Sequence, residues 1–455
     1  MISIAGQIIL TAAQTRAAEA ASGVDPAVLM QRAGRGIADA LRRLSAGSEM
    51  LILCGPGNNG GDGYVAARLL REAGCAVRVA ASDAPRSELG IAARKAWAGA
   101  VEVLADAMPA PILVDALFGI GLTRALDDDV ATAFRRLAAD ARLTIAIDLP
   151  SGIATDDGTI LTPPPAIAVT LALGCVKPSL LLQPAAAACG AIRLIDIGLQ
   201  PSGTAQVIAP PSLPKPGPTS HKYSRGMVAV VSGVMAGAGE MAATAAIRAG
   251  AGYVLLLTDR PGEPHAVVRR TFAPDALTDE RIGAVVIGPG LGRDDAACAR
   301  LDAAFASGRP LVIDGDALHL VDSARIARHH APVILTPHGG EFTALFGKGS
   351  GSKIDRTRAA AAAAYAIVVH KGADTVIAAP DGRVRVAGDA SDWLSTAGTG
   401  DVLAGTIGAM MASGLGPFTA ASAGVWLHGD AARRAGAALI ADDLLHHLTA
   451  ARAAL

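Results

Sequence analysis

Apolar residues in this chain cluster in short unbroken runs rather than alternating with polar ones. In the first half the runs fall at 50–54, 76–80, 112–117, 144–149, 167–173 and 192–197. Between them lie alanine-rich stretches with helical spacing, such as 64–73, which Gly74 closes. A strand with no polar face is buried on both sides, so the pattern predicts a mostly parallel sheet covered by helices. The second half repeats the alternation, with runs at 227–232, 253–258, 284–287, 311–313, 333–335 and 367–370. A hairpin is expected over 375–386, turning at Asp381-Gly382. The fold class is therefore α/β throughout, with no internal repeat.

Between the halves, Pro201, Pro210, Pro211, Pro214, Pro216 and Pro218 crowd together. Proline at that density sustains neither helix nor central strand. The expected division is 1–205, a proline-rich linker 206–220, and 221–455.

Composition narrows the classes. Of 455 residues, 51% are hydrophobic and only 18% charged, which excludes global disorder. Aromatics are 3%, so modules that stack bases on aromatic rings are excluded. Lys+Arg total 40 against 41 Asp+Glu, a net charge of −1, and no field recruits nucleic acid or an anionic membrane. A mean hydropathy of +0.39 calls for a membrane test. The stretch 402–429 lacks charge, but Gly414-Leu-Gly-Pro417 cuts it into two buried helices. Residues 1–13 lack the basic start of a secretory signal. Cys54, Cys75, Cys175, Cys189 and Cys298 form no Cys-x-x-Cys pair, so buried thiols in a reducing cytoplasm are expected. Small-residue apolar surfaces suggest a homo-oligomer.

The first chemical signal is Gly55-Pro-Gly-Asn58-Asn59-Gly60-Gly61-Asp62-Gly63 directly after a strand. Glycines let backbone approach a ligand, and free N–H groups at a helix start favour phosphate. Asp115, Asp148 and Ser151 close two further strands, where open parallel sheets bind ligands. Carboxylate, amide and hydroxyl oxygens together suit a hard cation. In the second half, Thr396-Ala-Gly-Thr-Gly400-Asp401 opens an apolar helix, a setting for phosphoryl transfer with a carboxylate as base. Gly288-Pro-Gly290, Thr336-Pro-His338 and Lys371-Gly372-Ala373-Asp374-Thr375 each follow a strand.

Residues 1 to about 205 resemble the NAD(P)H-hydrate epimerase (YjeF N-terminal) family in Thr11-Ala-Ala-Gln14-Thr-Arg16, the Asn-Asn-Gly-Gly-Asp loop, Asp115-Ala-Leu-Phe-Gly119 and Asp148-Leu-Pro-Ser-Gly. The resemblance implies a Rossmann-like three-layer domain. It implies substrate contacts at Asn58, Asn59, Gly60, Gly61, Asp62, Gly119, Ile120, Gly121, Leu122, Thr123, Arg124 and Asp148. A potassium ion on Asn59, Asp115 and Ser151 is implied too, with Asp148 as candidate acid or base. From about His221 onward the chain resembles the ADP/ATP-dependent NAD(P)H-hydrate dehydratase (YjeF C-terminal) family, within the ribokinase-like kinases. Gly237-Ala-Gly-Glu240 and Gly424-Val-Trp-Leu-His428-Gly carry this alongside the motifs above. It implies Asp401 as catalytic base, with Ala238, Gly290, His338 and Asp401 on the substrate. Lys371, Gly372, Ala373, Asp374, Thr375 and Gly400 would hold ADP or ATP, with Mg2+ on its phosphates. Two departures are visible: Ala397 replaces the family's first glycine before Gly398-Thr-Gly-Asp, and Gly339 its proline after His338.

The activity implied is repair of the hydrates NADHX and NADPHX. The rival reading is a ribokinase-like kinase of a vitamin hydroxymethyl group, fused to a non-catalytic nucleotide-binding module.

Overall fold

A computed structural model describes residues 1–388 and 390–455. The chain forms two compact units, Met1–Val207 and Ile208–Leu455.

In the first unit, strands β1 (Met50–Cys54), β2 (Val77–Ala81), β3 (Val101–Val103), β4 (Ile112–Ala116), β5 (Leu143–Ile147), β6 (Val169–Leu173) and β7 (Ala191–Ile195) form one sheet. Its order is β3-β2-β1-β4-β5-β6-β7, and every pairing is parallel. A further short strand, β8 (Ala205–Val207), lies against the N-terminal segment through the Ile8–Gln206 bridge. The unbroken apolar runs are explained by the layers. Met50, Ile52 and Cys54 of β1 pack into one core with Ile37 and Leu41 of helix Pro26–Ser45. Leu51 and Leu53 point the other way, toward Phe134 and Leu137 of helix Asp128–Ala139. Each such side chain, fully buried, contributes about 1.5–3 kcal/mol. Helix Pro26–Ser45 starts where the Asp25 side chain accepts the Ala27 N–H at 2.8 Å and Pro26 fixes the first turn.

One boundary differs from the sequence expectation. The helix after β1 runs Asn58–Glu72, not 64–73, so the Asn-Asn-Gly-Gly-Asp run forms its first turns. Glycine propensity argued for a loop there, but close packing overrides it. A Cβ on Gly60 would lie 2.0 Å from the Gly55 carbonyl oxygen, and one on Gly61 2.6 Å from Met30 Cε.

In the second unit the strands are β9 (Met227–Val231), β10 (Tyr253–Leu257), β11 (Val268–Arg270), β12 (Ile282–Ile287), β13 (Leu311–Ile313), β14 (Val333–Leu335), β15 (Ile367–His370), β16 (Thr375–Ala378) and β17 (Val384–Ala387). Their order is β11-β10-β9-β12-β13-β14-β15-β16-β17. The run from β11 to β15 is parallel, and β15, β16 and β17 pair antiparallel, the hairpin expected near Asp381-Gly382. The charge-free stretch forms helices Thr399–Ala412 and Pro417–Ala435, broken at Gly414 as its sequence requires. Among the described residues no helix is long and apolar enough to cross a membrane. All five cysteines are free; Cys54, Cys175 and Cys189 are buried, whereas Cys298 is exposed.

Scarce aromatics are matched by close helix approach. Helix Thr399–Ala412 crosses helix Ala236–Arg248 at Gly405, where a Cβ would meet the Ala242 carbonyl oxygen at 1.9 Å. Gly405→Ala should therefore destabilise this unit by about 3 kcal/mol, since a buried backbone contact cannot yield to an added methyl. Thermal unfolding checks this; an unchanged melting temperature would contradict the crossing.

Candidate active sites

At the carboxyl edge of the first sheet, β4 ends in Asp115, which is fully buried. Its Oδ1 accepts the Ser151 hydroxyl at 2.6 Å and the Leu117 N–H at 3.1 Å, while Oδ2 accepts the Ser151 N–H at 2.7 Å. Burial pushes its carboxyl up to about 6, opposed by the hydrogen bonds from Ser151 and Leu117. Ser151 Oγ also accepts the Phe118 N–H at 2.9 Å, tying the segment after β4 to the one after β5.

The next residue, Gly119, marks where that segment meets two others. A Cβ there would stand 3.1 Å from Asp148 Oδ2 and 3.3 Å from the Asn59 side-chain amide. The structure thus gathers Asn59, Gly119 and Asp148 at one corner. Asn59 Nδ2 is buried without a protein partner. An amide end in that state has free hydrogen-bonding capacity for a ligand. Helix Asn58–Glu72 has Gly57 as an N-cap without a side-chain cap, leaving its first N–H groups open.

Asp148 adopts φ +66°, a left-handed backbone conformation that costs about 1–3 kcal/mol in a residue other than glycine. Its Oδ1 takes the Lys177 ammonium at 2.5 Å and the Leu173 N–H at 3.2 Å. Lys177 is 1% exposed and spends its other two protons on the carbonyls of Leu173 at 2.7 Å and Cys175 at 3.2 Å. Although burial works against its charge, Asp148 and the groups around it hold Lys177 above its ordinary value. Asp62 and Glu19 complete the cluster: both carboxyls are raised by burial first and by Asp148 as well.

Sequence reasoning missed Lys177 and Glu19. Lys177 carried a signal, being the sole charged residue between Asp157 and Arg193. Glu19 carried none; it lies on helix Ala12–Ala21, whose start is fixed by the Thr11–Gln14 capping box. The segment from Ile120 to Arg124 is brought less firmly to the corner. The Ile120 carbonyl accepts from Arg16 at 3.3 Å, while Arg124 is exposed and paired with Asp127 at 2.7 Å. Gly121 and Thr123 are exposed, and Leu122 is half-buried.

The second sheet repeats the design. β13 ends in Asp314, which is buried and holds Lys371 Nζ at 2.7 Å on Oδ1. A Cβ on Gly400 would lie 3.3 Å from that Nζ, so the first turn of helix Thr399–Ala412 rests on the pair. Gly398 caps the helix at φ +88° with no side chain to take its N–H groups. Asp401, in the same turn, is pushed up to about 6 by burial and by Asp314, against Lys371. His428 donates from Nε2 to the Thr399 carbonyl at 2.9 Å and is held down at about 4 by burial, which keeps it neutral.

A cavity of about 360 Å³ opens beside this turn, lined by Lys371, Gly372, Ala373, Thr375 and Gly400 together with Arg433. Asp374 of the same loop turns away, its carboxylate paired with Lys353 at 2.6 Å. After β12, Gly290 meets Ala238 of helix Ala236–Arg248: a Cβ on Gly290 would be 2.9 Å from Ala238 Cβ. His338 caps helix Gly339–Phe346, its Nδ1 accepting the N–H groups of Gly340 at 2.9 Å and Glu341 at 3.3 Å. The ring is exposed, and its Nε2 lies 3.5 Å from Glu341 Oε1. Asp314 was missed, although it follows the strand-end rule that singled out Asp115 and Asp148.

Residues 228–452 match the NAD(P)H-hydrate dehydratase family model, and residues 26–179 match that of the YjeF-related protein N-terminus. A bifunctional NAD(P)H-hydrate repair enzyme of Moorella thermoacetica is 33% identical, covering 92% of this chain and 91% of its own. One of Mycobacterium tuberculosis is 34% identical over 88% of each chain. Among solved structures, an ADP/ATP-dependent NAD(P)H-hydrate dehydratase of Bacillus subtilis, co-crystallised with ATP and Mg2+, is 28% identical with a TM-score of 0.47, covering 52% of this chain and 93% of that one.

The Lys177–Asp148 pair carries a stability prediction. Lys177→Met strands a buried carboxylate and should cost about 3–5 kcal/mol. Adding Asp148→Asn should recover much of that loss, read by denaturant unfolding; two simply additive losses would contradict the pairing.

Proposed function

The chain belongs to the bifunctional NAD(P)H-hydrate repair enzymes, and from that premise we propose how its two units divide the work. It is an enzyme that returns hydrated NAD(P)H to use by two reactions: interconversion of the R and S hydrates, and adenine-nucleotide-dependent dehydration of the S hydrate. The first unit carries the epimerase and the second the dehydratase. Fusion suits the chemistry, since one site's product is the other's substrate.

The observation that carries the dehydratase assignment is the meeting of Asp401, Gly400, Lys371 and Asp314 beside the cavity. There the nucleotide lies along Lys371 to Thr375 with its phosphates toward the Lys371 ammonium and the open N–H groups of Gly400 and its neighbours. Asp401 takes the proton of the C6 hydroxyl as that oxygen attacks the terminal phosphorus, and the shortened nucleotide leaves. Phosphate then departs from C6 as a proton leaves C5, restoring the ring double bond. Gly290, Ala238 and the exposed His338 ring line the hydrated nicotinamide side. Magnesium carried on the nucleotide's phosphates would neutralise their charge.

In the first unit the hydrated ring sits at the Asn59–Gly119–Asp148 corner, with the segment from Ile120 to Arg124 over it. Asn59, Asp115 and Ser151 offer an amide, a carboxylate and a hydroxyl, an all-oxygen set that fits potassium. Such an ion would fix the segments after β1, β4 and β5 relative to one another.

Asp401→Asn should lower dehydration at least ~1,000-fold while leaving epimerisation intact, because an amide accepts no proton. Wild-type dehydration should also fall below pH about 6, as Asp401 becomes protonated and loses its basicity. Release of inorganic phosphate with recovery of dihydronicotinamide absorbance is the readout. A stable phosphorylated product would favour a small-molecule kinase instead, and wild-type turnover by the variant would overturn the assigned base.

A further inference from the structure

Epimerising a hydrate at C6 requires more than binding. C6 carries a hydroxyl beside the ring nitrogen N1, so its configuration inverts when the hydroxyl leaves as water and water returns to the other face. Hydroxide is a poor leaving group, and a proton must be delivered to it. This inference rests on the epimerase reading above.

Asp62 is buried, only 9% exposed, and its carboxyl has no hydrogen-bond partner among the described residues, whereas Asp115 and Asp148 are both fully engaged through Oδ1. It projects from the second turn of helix Asn58–Glu72, three residues after Asn59. The nearby cation cannot serve it, because all three Lys177 protons are committed to Asp148 and two carbonyls. The charged groups facing it are the carboxyls of Asp148, on the segment after β5, and Glu19, on helix Ala12–Ala21, together with Lys177. Burial and the two carboxylates push Asp62 well above the usual carboxylate range, against Lys177. Two neighbouring carboxyls in unlike surroundings, one paired and one not, are the arrangement that separates acid from base.

We propose that Asp62 is the proton donor of the epimerase site and that Lys177 is a positioning residue, holding Asp148 so that its free Oδ2 faces the Gly119 corner as the matching acceptor. The Asp62 carboxyl gives its proton to the C6 oxygen. The C6–O bond breaks with its electron pair going to oxygen, water leaves, and the N1 lone pair forms a C6=N1 iminium. Water then adds to the opposite face, the π pair returns to N1, and Asp148 Oδ2 takes the proton released. That proton passes back to Asp62 before the next turnover, so nothing is consumed.

Asp62→Asn exchanges one neutral planar group for another, so the fold should hold. Its epimerase kcat should fall at least ~100-fold with little change in KM, while dehydration of pure S hydrate by the second unit stays at the wild-type rate. Wild-type epimerase kcat should decline as pH rises through the Asp62 ionisation, and Asp62→Glu should keep part of the turnover with that alkaline limb displaced. Epimerisation by Asp62→Asn within about threefold of wild type would overturn the assignment, as would a wild-type kcat that shows no decline as pH rises. Should the Asn variant not fold, the wild-type profile and the Glu variant carry the test. A wild-type chain that does not interconvert the hydrates would instead overturn the epimerase reading itself.

Discussion

Each unit depends on one buried lysine that neutralises one strand-end carboxylate. Lys177 on Asp148 and Lys371 on Asp314 are ion pairs withdrawn from water, where breaking one partner away leaves an uncompensated charge. Such pairs stabilise little compared with an apolar substitute, so their value lies in what they hold in place. The first ties the segment after β5 to the one after β6, the second ties the segment after β13 to the one after β15, and each leaves a second carboxyl nearby without a cation of its own. In the first unit that carboxyl is Asp62, and in the second it is Asp401. Both are raised by burial above the usual carboxylate range, Asp401 to about 6.

The small-residue composition serves the same end. Helix starts carry their N–H groups to the sites because glycines let them press onto neighbouring backbone, as Gly60 does on Gly55. At the second site, Gly400 rests on Lys371 and Asp314. Larger residues would lift these helices away from the backbone and the lysine they rest on. Near-neutral net charge follows: the sites rely on a few placed cations and on backbone donors, and a basic surface has no part in them.

Much of this was legible in the sequence because strands buried on both faces leave unbroken apolar runs, and because ligand sites of parallel sheets lie after those runs. That rule singles out Asp115, Asp148 and Ser151, and the glycine-rich helix start singles out Asp401. The start of the helix at Asn58 was not, since glycine's loop preference is a local property and the contacts that override it come from Gly55 and Met30. Lys177 lies far along the chain from its partner Asp148, and only its isolation in an apolar stretch marked it. Asp314 follows the same strand-end rule, but its partner Lys371 is 57 positions away and no local pattern links the two. In the loop from Lys371 to Thr375, the Asp374 carboxylate pairs with Lys353, a contact 21 positions away that no local motif indicates.

The central claim is that two differently built proton-exchange sites in one chain act in sequence on the same damaged cofactor. The most direct measurement mixes the purified chain with R and S hydrates of NADH and excess ADP or ATP, following dihydronicotinamide absorbance and the remaining stereoisomers together. Consumption of both isomers, with absorbance recovered for the whole mixture, is the result this account predicts. Recovery that stops when the S hydrate is exhausted, leaving the R hydrate at its unassisted rate of change, would contradict it.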